Sequence, residues 1–326
     1  MIDSRHFKVE ELAKGVYAAI HREGGWAVAN AGIIDIGEYS LVFDTFITVQ
    51  AAGDLRQAAE ELTGKPVGIV VNSHYHNDHI WGNQVFDTQI DFLSTVETRQ
   101  LIETDGMQEY HWYRDNSDIQ LKAFQSQYES EKDQSKRQVI STWISYYTGL
   151  VESLPLLSIR PPNITFADRL QIYGEGRQIE LIEFKHGHTG SDVILNIPAE
   201  GIIFMSDLLF VGCHPYLADG NPENFPIIYK KIRSLQAKVL VPGHGPVGGL
   251  GDMSQIEEYI QHCDRLASEL AAAGDKAVNF NALQIPSEYS SWNLSQFYAA
   301  NLNFLYRRHA TWSATSISQT KTGKQD

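Results

Sequence analysis

Short apolar runs alternate with turns and with longer amphipathic stretches along this chain. Runs at 16–20, 26–35, 39–44, 67–72 and 90–93 are rich in Val, Ile and Phe and read as strands. A second series follows at 179–184, 193–197, 202–205 and 239–241. Over 49–63, 95–103, 225–235 and 252–273 the apolar positions recur every three to four residues, the period of a helix with one buried face. Two strand-rich halves interleaved with helices, and no repeat of fixed period, predict an α/β fold of two packed sheets flanked by helices.

Two segments stand outside this alternation. Residues 105–160 are polar and helical in composition but carry Tyr110, Trp112, Tyr113, Phe124, Tyr128, Trp143, Tyr146 and Tyr147, with a charged stretch at 129–137. This reads as a helical insertion whose aromatics form a small core of their own, with Trp112 and Tyr113 as candidates for a substrate pocket; a lid and an oligomer contact are both open. Residues 281–312 place Trp292, Phe297, Tyr298, Phe304, Tyr306 and Trp312 at near-helical spacing, so a docked C-terminal helical extension is expected. From 313 to 326 the chain is polar and is expected to fray. The whole is read as one domain, 1–326.

Candidate chemistry enters at the end of the fourth apolar run. His74-Tyr75-His76-Asn77-Asp78-His79 sets imidazoles and a carboxylate where a buried strand meets a turn. Such a mixture suits zinc or another first-row metal. Chance would place three histidines and an aspartate in this order in roughly one such chain per thousand. In extended chain, residues two apart share a face, so His74 and His76 can hold one ion together. Asp78 and His79 lie where the chain turns and can reach a second. The bland alternative is a polar turn with surface histidines. His188, His244 and Asp207 also sit at junctions of apolar run and turn, where rigid scaffolds carry functional groups. Singly, each reads equally as a turn residue or a helix cap.

Taken in order, LVFDT at 41–45, SHYHNDH at 73–79, GHTGS at 187–191, MSDL at 205–208 and PGHG at 242–245 resemble the metallo-β-lactamase fold superfamily. The resemblance implies a four-layer αβ/βα sandwich of two mixed sheets. It implies a binuclear centre in which His74, His76 and His188 hold one metal, Asp78, His79 and His244 the other, and Asp207 bridges them. Asp44 would support the site by a hydrogen bond rather than bind metal. His188 matches the family turn better than His186 does. The implied cofactor is two Zn2+, with Mn2+ or Fe as alternatives.

The implied activity is hydrolysis of a small-molecule ester, lactone, thioester or amide by a metal-bridged hydroxide, since bound metal lowers the pKa of water from about 15.7 toward 7. Asp78 would orient that hydroxide and assist proton transfer. In the loop 211–216, His214 and Tyr216 are candidate substrate contacts. Asp207 sets the chain apart from the β-lactamases proper, which usually carry Cys or a non-ligand at that position, and His76 from the diiron oxygen-reducing branch. The alternatives are a mononuclear iron oxidoreductase of the sulfur dioxygenase kind and a phosphodiesterase. A homodimer is a family expectation.

Charge and cysteine content narrow the picture further. With net charge −14 and no basic stripe, nucleic acid is an unsuitable partner. No run is long enough to span a membrane, and residues 1–11 have no signal-peptide centre. Two cysteines, Cys213 and Cys263, offer no disulfide framework, which suits a cytoplasmic setting.

Overall fold

The computed structural model describes residues 4–274 and 278–321, with side chains beyond residue 310 outside the description. Its centre is a pair of sheets whose facing surfaces are apolar. The first contains β1 (Phe7–Ala13), β2 (Val16–His21), β3 (Ala31–Asp35), β4 (Ser40–Phe43), β5 (Val67–Val71), β6 (Asp91–Thr95) and β7 (Ile164–Phe166), paired in that order. Pairing is antiparallel from β1 to β4 and parallel from β4 to β7. The second contains β8 (Arg169–Gly174), β9 (Arg177–Lys185), β10 (Ser191–Ile197), β11 (Ile202–Phe210) and β12 (Val239–His244), in the spatial order β12-β11-β10-β9-β8. Only the β11–β12 pair is parallel in that sheet.

Between the sheets, Ile34, Phe43, Val71 and Leu93 from one meet Leu181, Val193, Leu195 and Phe204 from the other. Helix α1 (Val49–Thr63) covers the outer face of the first sheet through Leu55 and Ala58. Its limits are chemical: the Thr48 hydroxyl accepts from the Ala51 N–H, and Gly64 closes the helix in the left-handed conformation. Two short helices, α2 (Asn77–Ile80) and α3 (Val96–Leu101), follow β5 and β6.

The insertion folds as a hairpin of α4 (Met107–Ser130) and α5 (Gln134–Ser153). Phe124 stacks on Trp143 with ring centroids 5.7 Å apart, and Tyr110, Tyr113 and Tyr147 pack with Trp81 of the sheet domain. Most of its aromatics thus form a local core, while Trp112 stays half-exposed. Helices α6 (Phe225–Ser234), α7 (Leu250–Ala272) and α8 (Gln296–Lys321) cover the second sheet, with Tyr229, Tyr259, Tyr298 and Leu302 fully buried there. Helix α8 docks on α7, but the helical extension expected over 281–312 begins only at Gln296; residues 283–295, Trp292 among them, are turns and irregular chain. The helix runs to Lys321, beyond the point where fraying was expected; the Trp312 side chain and residues 322–326 lie outside the described set.

Three differences from the sequence reading have plain causes. Strand β1 is an edge whose Lys8, Glu10 and Glu11 mask its pattern. Residues 26–30, apolar enough for a strand, form a loop in which Val28 takes a positive φ and Asn30 bonds to the end of β12. Strands β7 and β8 are largely exposed, so they lack the apolar runs that mark buried strands.

Candidate metal centre

The motif residues meet at one edge of the sandwich, where β4, β5, β9 and β12 end and β11 bends. His74, His76, His188 and Asp207 form one group, and Asp78, His79 and His244 a second; within each, one potential ligand atom per residue lies within 4.8 Å of all the others. Asp207 stands between them. Its Oδ2 is 3.2 Å from His188 Nε2 and 3.4 Å from His244 Nε2, and its Oδ1 is 3.1 Å from His79 Nε2. His76 Nδ1 is 3.0 Å from His188 Nε2. His244 Nε2 lies 3.4 Å from Asp78 Oδ2.

Local backbone geometry aims these groups. The β11–β12 register shifts on both sides of Ser206, which takes a φ of 46°, and this irregularity swings Asp207 into the cluster. Gly243 leaves room for it: a Cβ there would sit 1.8 Å from Asp207 Oδ1. Asp44, also left-handed at φ 62°, follows β4 and accepts from the Ser73 N–H and hydroxyl, each at 2.8 Å, and from the Ser206 hydroxyl at 3.1 Å. Conformations of this kind cost on the order of 1–3 kcal/mol each and persist where surrounding bonds hold them.

The same network sets the histidine tautomers. His79 Nδ1 lies 2.8 Å from Asp44 Oδ2; a carboxylate only accepts, so Nδ1 carries a hydrogen and Nε2 is the nitrogen left to face a metal once the ring is neutral. Ser73 donates to Asp44 and therefore accepts from His74 Nδ1 at 2.9 Å, which frees His74 Nε2. Both Nε2 atoms are buried without a hydrogen-bond partner, and so is Asp207 Oδ1. His79 Nε2 and Asp207 Oδ1 thus approach closely without hydrogen-bond alignment. Unpaired lone pairs converging in a buried nest are costly unless a cation joins them. Zinc–nitrogen bonds of about 2.0–2.1 Å in a tetrahedron put ligand atoms roughly 3.4 Å apart, close to the spacings here. The donor set fits a divalent metal.

Electrostatics divide the donors. Burial works against charge on His76, His79 and His244, but neighbouring carboxylates outweigh it and raise all three, so a metal must displace their protons. His74, His188 and Asp207 already stand in the binding form. Burial, with His79 and His76 nearby, pushes the His74 pKa well below its usual value, so the ring is neutral. Burial works against ionised Asp207, but His244, His79 and His188 outweigh it and hold its pKa well down. Burial pulls His188 down to about 4. Neutral imidazole and ionised carboxylate are the forms that bind metal.

Residues 24–244 match the sequence profile of the metallo-beta-lactamase superfamily. The chain belongs to this superfamily. None of the curated proteins compared matches it. Among solved structures it is similar to a metallo-β-lactamase from Pontibacter korlensis, at 18% identity and TM-score 0.56 over 78% of this chain and 99% of that one. It is similar also to the metallo-β-lactamase FIM-1 from Pseudomonas aeruginosa in its mono-zinc form, at 14% identity and TM-score 0.57, covering 79% and 96%. A metallo-β-lactamase from Hirschia baltica gives 15% identity and TM-score 0.55, covering 78% and 98%. At these identities the likeness is one of fold.

Of the other sequence candidates, the structure brings some to the cluster and leaves one apart from it. His188 is buried in the cluster, whereas His186 is exposed. Tyr216 reaches the centre, its ring 6.3 Å from that of His76. His214 does not. Its side chain is fully buried on the far side of the loop, with Nδ1 3.1 Å from the Tyr259 hydroxyl and Nε2 3.1 Å from the Tyr289 carbonyl. Pro215 and Tyr216 turn the chain between the two, so the substrate-contact expectation for His214 is corrected: it belongs to the core under α7 and α8.

Sequence reasoning missed other neighbours. Glu109, from α4, accepts from Asn77 Nδ2 at 2.9 Å between the ligand candidates His76 and Asp78, so the insertion abuts the site. Burial raises the Glu109 pKa to about 7. Tyr75 and Asp219 meet His76. His21 packs near His244, with ring centroids 6.1 Å apart. Glu109 and Asp219 carry no local motif that could have marked them.

Proposed function

We propose that this member of the superfamily is a metal-dependent hydrolase with a binuclear centre, acting on an ester, lactone, thioester or amide bond of a small molecule. The observation that carries the reading is the buried convergence of two donor groups on a shared carboxylate, Asp207, with donor atoms of His74, His79 and Asp207 left without a hydrogen-bond partner. His74, His76 and His188 would hold one cation, Asp78, His79 and His244 the second, and Asp207 would bridge them. Two bound cations would lower the pKa of water and polarise a substrate oxygen. Zinc is the preferred occupant, with manganese or iron as alternatives, because imidazole and carboxylate suit all three.

The chain's own residues supply the remaining parts. Asp78 lies with one oxygen toward His79 and the other toward His244, where it can accept a proton from the attacking water and pass it to the leaving group. Asp44 keeps His79 and Ser73 in place without touching substrate. Tyr216 flanks His76 and offers a hydroxyl for substrate contact, and burial lifts its pKa to about 12, so it acts as a neutral donor. The residues found around His76, Tyr75, Glu109, Tyr216 and Asp219, include no Lys or Arg to meet a phosphate, which favours an uncharged acyl substrate over a phosphodiester.

The test is metal analysis of the purified protein together with a chromogenic panel of esters, lactones, thioesters, phosphodiesters and β-lactams. About two zinc or manganese ions per chain with hydrolysis of an acyl substrate are expected. A single iron with a silent panel would overturn the reading in favour of an oxidoreductase. His76→Ala and His188→Ala should each lose metal and activity together.

A further inference from the structure

We propose that Asp219 and Tyr75 form a positioning clamp that fixes His76 in the tautomer whose Nδ1 is free to bind metal; the proposal rests on the metal-centre reading above. His76 is oriented differently from its neighbours. His74 and His79 are held at Nδ1 and point Nε2 inward. His76 points Nδ1 inward, 3.0 Å from His188 Nε2, so whatever fixes its tautomer must act at Nε2. Asp219 Oδ2 lies 3.0 Å from that Nε2. A carboxylate cannot donate, so Nε2 carries a hydrogen, and in the neutral ring that binds metal Nδ1 then holds the lone pair. Tyr75 Oη donates to the same Oδ2 at 3.0 Å and holds the carboxylate in line.

The loop that carries Asp219 is itself pinned on both sides. Asn301 of α8 accepts from the Leu217 N–H at 3.0 Å and donates to the Pro215 carbonyl at 2.7 Å. The Asn221 N–H donates to the Gly187 carbonyl at 3.0 Å. A Cβ on Gly220 would lie 2.0 Å from that carbonyl oxygen and 2.5 Å from the His188 carbonyl, so only glycine lets the loop close on the turn bearing His188. Asp219 is therefore placed against His76 by the same contact that places His188. Neither Asp219 nor Tyr75 belongs to the donor groups, and each acts through His76.

Outer partners of metal-binding histidines typically contribute 10–100-fold in metal affinity. The experiment uses full-length Asp219→Ala and Tyr75→Phe with two readouts. Stepwise zinc titration against a chromogenic chelator should show one of two binding steps weakened about 10–100-fold in Asp219→Ala and the other unchanged. Tyr75→Phe, which keeps the carboxylate, should weaken the same step less. Nitrogen-15 spectra of the histidine rings in metal-free protein should show His76 with its hydrogen on Nε2 in the wild type and a mixture in Asp219→Ala. Equal weakening of both steps, no weakening, or an unchanged His76 tautomer would overturn the clamp. If wild-type protein binds no zinc, the metal-centre reading fails, while the tautomer spectra still decide the clamp. Should Asp219→Ala not fold, Tyr75→Phe decides on the same two readouts.

Discussion

His214 separates a structural role from a substrate role sharply enough to be tested alone. Replacing it with alanine removes a fully buried ring packed against Tyr259, Trp292 and Tyr298, together with bonds to the Tyr259 hydroxyl and the Tyr289 carbonyl. Large-to-small changes at such sites cost about 2–5 kcal/mol, and each lost hydrogen bond about 1 kcal/mol, so a net loss of roughly 3–5 kcal/mol is expected at pH 8. Burial lowers the folded-state pKa of His214 to about 4 from the ordinary 6.5. The unfolded chain therefore binds a proton between these values that the native state refuses. The contribution of His214 is fully present above pH 6.5 and is lost as the pH falls toward 4. At pH 5 the wild type should have given up about 2 kcal/mol of its advantage over His214→Ala. The assay is urea unfolding of metal-free wild type and variant at pH 8 and pH 5, with kcat and KM of the metal-loaded enzymes measured well below the unfolding midpoint. Expected are a stability gap that narrows at low pH and a nearly unchanged KM. An unaltered midpoint combined with a raised KM would refute the core assignment and return His214 to the substrate.

Other perturbations probe the frame of the site. Gly243→Ala places a methyl on the Asp207 carboxylate and should lower metal stoichiometry and turnover, by metal analysis, while circular dichroism stays native; retention of two ions would contradict the packing. Asp44→Asn disrupts the acceptor of Ser73, Ser206 and His79, so zinc affinity should fall about 10–100-fold and stability by roughly 1.5–3 kcal/mol, measured by chelator competition and urea unfolding. Cys213 and Cys263 are buried, and burial raises both thiols to about 12. A thiol reagent at pH 8 should label them only as the protein unfolds, and a fast native phase would show otherwise.

Among the described residues, no helix is long and apolar enough to cross a membrane, in line with the hydropathy of the sequence. The two-sheet architecture was legible because buried strands such as β10 and β11 must be apolar on both faces, and α1 carries its own cap and stop. The edge strands β1, β7 and β8 escaped because half or more of their positions are not buried. The metal-group residues were legible for a different reason. Four of them fall within six residues, and local chain geometry brings such neighbours together; of the others, His188 lies in a turn after β9, Asp207 at the irregularity within β11 and His244 at the end of β12.

Within residues 211–221 that logic fails. His214, Tyr216 and Asp219 share one loop and similar polarity, yet one is core, one flanks the site and one meets His76. Which way each side chain faces depends on Asn301, more than eighty residues away, and on the contact of Gly220 with the His188 turn. Glu109 likewise reaches the site only because the insertion hairpin packs on Trp81. The sequence by itself determined a two-sheet α/β pattern and the dense cluster His74–His79, which follow from local periodicity and spacing. The full donor set was legible only through the ordered motifs that resemble the superfamily. Tertiary structure alone decided which loop residues face the donors and which carboxylate orients His76, because such directions are set by packing between segments far apart in the chain.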